Sequence, residues 1–198
     1  MKQQLSLFVF AALLAALPAV AQVKANACLD RLNGAVHPDR TELACTGGDS
    51  LSLYRLMEQA RQQRKIVMVV FDGIDCGNCK RNAPNVSRFM ERHADKFVFW
   101  APLGKLNGKP ACTDIETWDK QYPGYRNATS FLIQGTHPWY MYGDYNWPYY
   151  TVIDPATRKI HCQAGQNDFE KGSEQTWAYV SGKALQLHKA TYRNTKKP

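Results

Sequence analysis

The chain has 198 residues, of which 44% are hydrophobic, and it carries a formal net charge of +8. This length suits one domain with a sizeable core, and the sequence contains no internal repeat and no low-complexity segment. The basic residues are scattered and form no stripe with aromatic residues, so we expect no nucleic-acid partner. We interpret the charge as a solvated surface that aids solubility or attracts acidic partners.

The chain begins with a leader-like segment, MKQQLSLFVFAALLAALPAVAQ. One lysine precedes an apolar run from Leu5 to Leu17, and Ala19 and Ala21 are small residues at the two positions that a signal peptidase reads. A membrane anchor is the alternative, but the run is short for a hydrocarbon core of ~30 Å. We therefore expect residues 1–21 to be a secretory signal. The mature protein would be periplasmic or otherwise exported, and not an integral membrane protein.

Six cysteines follow the leader, and an even number in an exported chain predicts disulfides. They are Cys28, Cys45, Cys76, Cys79, Cys112 and Cys162. If Cys76 and Cys79 pair with each other, proximity in the sequence suggests that Cys28 pairs with Cys45, which leaves Cys112 for Cys162. The alternative is that some of these are free buried thiols, and the sequence does not decide the pairing.

The first half of the mature chain predicts an α/β arrangement. Residues 22–48 are polar and turn-rich, which indicates an extension of short irregular pieces. Apolar residues then recur at helical spacing through DSLSLYRLMEQARQQR, a helix that Asp49 or Ser50 can cap. The apolar run KIVMVVF follows as a strand buried on both faces. A helix followed by a buried strand is typical of an α/β sandwich.

The second half predicts further strands and helices. After the turn DGIDCG we expect a helix over residues 76–93 with Pro84 inside it, followed by the strand KFVFWAPL. Residues 104–146 are mixed, with a helix in TDIETWDKQY and an aromatic-rich run, HPWYMYGDYNWPYY, that continues into the next strand. The segments YYTVID and IHCQAG, joined by the turn DPATRK, predict a β-hairpin, and a final helix is expected over residues 173–189.

Three features together resemble the thioredoxin superfamily. The motif Cys76-Gly77-Asn78-Cys79 stands where a buried strand passes into a helix. Cys79 is followed by Lys80 and, five residues on, by Pro84, which is the spacing seen in thioredoxin helices. Trp147-Pro148 stands immediately before the strand YYTVID, where the family keeps a cis-proline that faces the dithiol.

This likeness covers about residues 50–190 and implies a thioredoxin-like fold, with a central mixed sheet flanked by helices. The domain would occupy residues 49–198, after an N-terminal extension at 22–48. The connection to the cis-proline is longer than in a minimal thioredoxin, which implies an insertion at about 104–146 with its own disulfide.

Two positions depart from the family pattern. Family members often have a tryptophan just before the first cysteine, where this chain has Asp75. Thioredoxin has a buried acid six positions before that cysteine, and Val70 occupies this position here. Asp72 is the candidate that would take over proton acceptance.

The resemblance implies a division of labour between the two cysteines. Cys76 would be the nucleophile, because a helix N-terminus stabilises its thiolate. Lys80 would add a positive charge, whereas the neighbouring Asp75 would disfavour the thiolate. Cys79, one turn into the helix, would be the shielded resolving thiol. Pro148, if cis, would present backbone next to Cys76 to hold a substrate strand.

Other readings of the CxxC motif stay open. A structural zinc site usually needs a second ligand pair, for which only Cys112, His161 and Cys162 are candidates, and a purely structural disulfide is a further alternative. The aromatic run predicts packing, although its nearness to Pro148 makes part of it, with Trp147, a candidate rim for a peptide or protein substrate.

The sequence thus predicts an exported thiol:disulfide oxidoreductase that exchanges disulfides with protein substrates and needs no cofactor or metal. The absence of histidine between the cysteines resembles reducing members, so we expect a reductase fed by a membrane electron donor, or an isomerase if the chain dimerises. The alternatives are a non-catalytic binding module that grips a partner with its aromatic residues, and a metal carrier that uses Cys76 and Cys79.

Overall fold

The computed structural model describes residues 34–37, 39, 41–43, 50–108, 110–133, 147–168 and 172–192. The expected signal peptide, most of the extension, and Cys28 and Cys45 lie outside these residues. The described elements follow in chain order. They are β1 (Thr41–Leu43), β2 (Ser50–Ser52), α1 (Leu53–Gln62), β3 (Ile66–Gly73), α2 (Gly77–His93), β4 (Phe97–Gly104), α3 (Cys112–Gln121), a 3-10 helix (Pro123–Asn127), β5 (Ala128–Leu132), β6 (Tyr149–Asp154), β7 (Lys159–Gly165), a short 3-10 turn (Gln166–Asp168) and α4 (Ser173–Tyr192).

A five-stranded mixed sheet forms the centre of the molecule, with the strand order β5-β4-β3-β6-β7. Strands β3, β4 and β5 are parallel, whereas β6 is antiparallel to β3 and β7 to β6. Every residue of β3 is buried, as its apolar sequence predicted. Helices α2 and α4 pack against each other and against β3, and α1 packs on β3 and β4. The expected α/β fold is confirmed.

Helix α1 begins later than the sequence indicated. Its N-cap is Ser52, whose hydroxyl accepts a hydrogen bond from the Arg55 amide at 3.3 Å, so neither Asp49 nor Ser50 is the cap. Residues 50–52 instead form β2, which pairs antiparallel with β1. The cap is reinforced by Asp39, whose carboxylate accepts from the Tyr54 amide at 3.0 Å.

Proline in helix α2 has a structural consequence. Pro84 lacks the N–H that would bond to the carbonyl of Lys80 in an uninterrupted helix. That carbonyl instead accepts a hydrogen bond from the Tyr122 hydroxyl at 3.4 Å. The carbonyl that Pro84 leaves unpaired within the helix thereby ties α2 to the end of α3.

Strand β5 was not predicted. It follows α3 and the 3-10 helix, and it forms one edge of the central sheet, parallel to β4. The 3-10 helix approaches α2 closely, because a Cβ at Gly124 would lie 2.0 Å from the Ser87 carbonyl oxygen, and the Gly124 amide donates to the Ser87 hydroxyl at 2.8 Å. Part of the expected insertion therefore belongs to the central sheet and its packing.

The opposite edge of the sheet is covered by residues 34–37. The Gly34 amide donates to the Ile160 carbonyl at 2.8 Å, and the Ile160 amide donates to the Ala35 carbonyl at 2.9 Å. The His37 amide adds a bond to the Arg158 carbonyl at 2.9 Å. We call residues 34–37 the edge segment, because it lies along the outer side of β7.

Helix α4 continues three residues beyond the expected end at residue 189, as its bounds show. None of the helices in the described part of the chain is long and apolar enough to cross a membrane.

Candidate functional site

The two cysteines of the CxxC motif lie where β3 passes into α2, as expected. Cys76 is the N-cap of α2, and its sulfur accepts a hydrogen bond from the Cys79 amide at 3.4 Å. When protonated, the Cys76 thiol can donate to the Trp147 carbonyl at 3.6 Å. Both cysteines are free thiols, and Cys76 is 6% exposed whereas Cys79 is fully buried.

The thiolate of Cys76 is stabilised by its position. A hydrogen bond from the Cys79 side chain is the main cause that lowers the pKa of Cys76 to about 6, assisted by the amides of Cys79 and Asn78. Burial opposes this shift, and so does the negative charge of Asp75, as expected. Lys80 is exposed. Its positive charge, which was expected to stabilise the thiolate, is not among the causes of the lowered Cys76 pKa.

Cys79 has the opposite character. Burial is the main cause that raises the pKa of the Cys79 thiol well above its usual range. Its sulfur accepts a hydrogen bond from the Gly73 amide at 3.1 Å. The pair therefore holds one thiolate near the surface and one protonated thiol beneath it at neutral pH.

A buried carboxyl lies under the dithiol. Asp72 is fully buried, and burial raises its pKa to about 7, with a further increase from the charge of Cys76. The hydroxyl of Tyr125 donates to its Oδ2 atom, and hydrogen bonds from Tyr125 and Cys79 partly oppose the increase. Its Oδ1 atom is buried without a hydrogen-bond partner. Val70 stands at the position where thioredoxin has its buried acid. In this chain the buried acid is Asp72, two residues later in the same strand.

Asp75 has a second role besides its charge. Its Oδ1 atom accepts from the Leu106 amide at 2.6 Å, and its Oδ2 atom accepts from the Asn107 amide at 2.8 Å. Burial acts to raise the pKa of Asp75, but these backbone hydrogen bonds outweigh it and lower the pKa. The carboxylate therefore anchors the loop after β4 beside the first cysteine.

The peptide bond between Trp147 and Pro148 is cis. The Trp147 ring is 9% exposed and lies 5.2 Å, centroid to centroid, from the Phe71 ring. A Cβ at Gly73 or Gly104 would lie 2.2 or 2.5 Å from this ring, so glycines at the ends of β3 and β4 make room for it. The ring is thus mainly packed, and the Trp147 carbonyl is the group that reaches Cys76. Residues 134–146, with most of the aromatic run, lie outside the described part of the chain.

A cleft of about 340 Å³ opens over Cys76. Its lining includes Cys76, Asn78, Arg81, Leu106, Trp147 and Gln166. Asn78 donates to the Gln166 side chain and accepts from Arg81, while the Gln166 amide donates to the Pro148 carbonyl at 3.1 Å. Leu106, Gln166 and Tyr125 were missed by sequence reasoning, because each reaches the site from an element distant in the chain.

Two of the remaining four cysteines are among the described residues. Cys112 and Cys162 are both disulfide-bonded. Cys162 is in β7, and Cys112 is the first residue of α3. Which cysteine each of them bonds stays a prediction. The pairing of Cys28 with Cys45 lies outside the described residues.

A metal site is not formed by the described residues. They contain no group of three histidine, cysteine, aspartate or glutamate side chains that could hold an ion. His161 and Cys162 are on β7, two strands from β3, so they do not complete a ligand set with the dithiol.

Comparison with solved structures supports the same architecture. The thioredoxin domain of a thiol-disulfide oxidoreductase from Bacteroides vulgatus is similar with a TM-score of 0.52 and 19% identity, over 76% of this chain and 96% of that one. A thiol:disulfide interchange protein from Bacteroides sp. gives 0.54 and 18%, over 82% and 96%. A secreted disulfide oxidoreductase from Mycobacterium tuberculosis gives 0.54 and 15%, over 75% and 96%. No family model and no curated protein sequence matches the chain. The sheet order, the dithiol at the start of α2 and these similarities together show that the chain has a thioredoxin-like fold.

Proposed function

We propose that this protein is a thiol:disulfide oxidoreductase that acts on protein disulfides. The observation that carries the proposal is the pairing of two unlike cysteines. Cys76 lines an open cleft and its pKa is lowered to about 6, whereas Cys79 is fully buried and protonated. A structural disulfide would need neither the lowered pKa nor the cleft.

In the first step, the Cys76 thiolate attacks one sulfur of a substrate disulfide. A new bond forms between Cys76 and that sulfur, the substrate S–S bond breaks, and the second substrate sulfur leaves as a thiolate that takes a proton. Cys76 lines the cleft, so a substrate disulfide that enters the cleft can reach its sulfur.

In the second step, Cys79 loses its proton and attacks the Cys76 sulfur of the mixed disulfide. The intramolecular disulfide forms, the bond between Cys76 and the first substrate sulfur breaks, and that sulfur is released as a thiolate and protonated, so two electrons have passed to the substrate. Asp72 is the group we expect to accept the Cys79 proton, because it is buried beneath the dithiol and its pKa of about 7 matches neutral conditions.

The direction we infer is reduction of substrates in an exported compartment. The oxidised dithiol would then be reduced again by an external dithiol donor, for which a membrane electron donor is our expectation. Stabilising the Cys76 thiolate stabilises the reduced form, which would make the protein more oxidising. The negative charges of Asp72 and Asp75 act against that stabilisation and therefore favour a reductase.

The test is the reduction potential of the Cys76–Cys79 pair. Purified mature protein is equilibrated in glutathione or dithiothreitol buffers, and free thiols are trapped and assigned by peptide mass spectrometry. A reversible two-electron transition near ~−270 mV supports a reductase, and one near ~−120 mV indicates an oxidant. If the pair never becomes reduced while the fold persists, the motif is a structural disulfide and the binding-module alternative replaces the proposal.

A further inference from the structure

The cleft has an apolar side that the exchange chemistry does not use. Leu106 is 59% exposed and lines the cleft beside Cys76. Among the described residues, Leu106 and Val36, which is 56% exposed, are the large apolar side chains that solvent reaches most. Leu106 therefore offers an apolar contact at the mouth of the cleft, because burying its side chain against an apolar group of a bound substrate is favourable.

The position of Leu106 is fixed by the residue next to the nucleophile. Asp75 accepts hydrogen bonds from the Leu106 and Asn107 amides at 2.6 and 2.8 Å and from the Asn107 side chain at 3.3 Å. Charge-assisted bonds of this kind are roughly twice as strong as neutral ones. The loop is therefore held in register with Cys76.

The other side of the cleft is polar and cationic. Leu106 follows β4 and Gln166 follows β7, and these strands lie on opposite sides of β3, so the two residues stand on opposite walls. Asn78 connects Gln166 to Arg81, which places the Arg81 guanidinium on the Gln166 wall. Arg81 is a cation of the lining, whereas the nearby Asp75 carboxylate is engaged by the loop.

We propose that this cleft selects an extended segment of a protein disulfide substrate with a large apolar residue on one side of its cysteine and an acidic residue on the other. The apolar side chain contacts Leu106 and the carboxylate pairs with Arg81. Asp75 is the positioning residue that holds the apolar wall. This inference rests on the proposed function, since it assigns the substrate class of the same site.

The experiment uses the reduced mature protein and synthetic peptides whose single cysteine is a mixed disulfide with thionitrobenzoate. The Cys76 thiolate attacks the peptide sulfur and thionitrobenzoate leaves as a coloured thiolate, after which Cys79 releases the peptide thiol. The parent peptide carries leucine and aspartate on the two sides of its cysteine, and it is made in both orders. Companion peptides replace leucine by serine or aspartate by asparagine, and a small aromatic disulfide serves as a general substrate.

We expect the protein to react about tenfold faster with the leucine peptide than with the serine peptide in the preferred order. Leu106→Ala removes most of this preference, and Asp75→Ala reduces it because the loop is released. Val36→Ala, which alters a similarly exposed residue outside the cleft, leaves the preference unchanged. Circular dichroism verifies that each variant is folded.

The acidic side has its own matched pair. Arg81 donates to the Asn78 side chain and Arg88 donates to the Asn85 side chain, and both arginines are exposed on α2. Arg81→Gln should remove an aspartate preference of about threefold that weakens with salt, whereas Arg88→Gln should leave it intact.

Equal rates for all peptides, or a leucine preference that persists in Leu106→Ala, would overturn the inference alone. If the reduced protein reacts with neither the peptides nor the small disulfide, the proposed function fails and the inference fails with it.

Discussion

The thiolate of Cys76 should depend on the side chain of Cys79. The Cys79 side chain is the largest single cause of the lowered Cys76 pKa, ahead of the backbone amides at the start of α2. Replacing Cys79 by alanine removes this donor, whereas replacing it by serine keeps a hydroxyl donor of similar size. The backbone N–H of residue 79 donates to the Cys76 sulfur in both variants.

The expected size of the effect follows from the strength of one hydrogen bond to a charged group, about 1.5–3 kcal/mol. Since one pKa unit corresponds to about 1.4 kcal/mol, the loss raises the Cys76 pKa by about 1–2 units. Starting from about 6, the pKa in Cys79→Ala becomes about 7–8. The thiolate fraction at pH 7 then falls from about nine tenths to between a half and a tenth. Cys79→Ser should lie closer to the unaltered protein.

The measurement is the rate of Cys76 alkylation by iodoacetamide as a function of pH, followed by peptide mass spectrometry. The midpoint of the rate profile reports the thiol pKa. The reasoning is refuted if Cys79→Ala keeps the midpoint of the reduced, unaltered protein, or if the alanine and serine variants coincide. The first result would mean that the helix terminus alone stabilises the thiolate, and the second would mean that a hydroxyl at residue 79 does not act as the donor.

Three further changes test the buried groups. The folded-state pKa of Asp72 is raised from 3.8 to about 7, so the stability that its protonated form contributes is fully present below pH 3.8 and is lost, by about 4 kcal/mol, as pH rises through 7. Asp72→Asn should flatten this part of the pH dependence in urea unfolding of the oxidised protein, and an unchanged slope would contradict it. Gly124→Ala forces a Cβ against the Ser87 backbone and should lower the free energy of unfolding by about 1–3 kcal/mol or more. Gly182→Ala, which adds a Cβ in open space on α4, should be neutral or stabilising in the same assay. Equal effects of the two substitutions would count against the packing argument. Trp147→Ala should lower the free energy of unfolding by about 3–5 kcal/mol, and a loss below about 1 kcal/mol would show that the ring is not packed as described.

Local signals were enough to predict the centre of the site. The apolar strand before Cys76, the two-residue spacing to Cys79 and the Trp147-Pro148 pair are all short-range patterns, and the structure places them together. The hairpin of β6 and β7 was equally visible, because its turn residues lie between two β-branched segments.

Features that depend on distant residues were not predictable in this way. Tyr125 reaches Asp72 from 53 positions away, and Gln166 reaches Asn78 from 88 positions away. Asp75 was expected only to disfavour the thiolate, because its loop partners lie 31 and 32 positions further along the chain. Strand β5 was missed because it is short and only partly buried at the sheet edge, so its sequence lacks a strong alternating or apolar pattern.

The edge segment has a practical consequence for anyone who trims the chain to the expected domain boundary at residue 49. Residues 34–37 occupy backbone groups on the outer side of β7, and their removal would leave those groups unpaired on an exposed strand. Open strand edges pair with one another between molecules. A fragment that begins at residue 49 should therefore self-associate with rising concentration in sedimentation measurements, whereas one that begins at residue 22 should remain monodisperse.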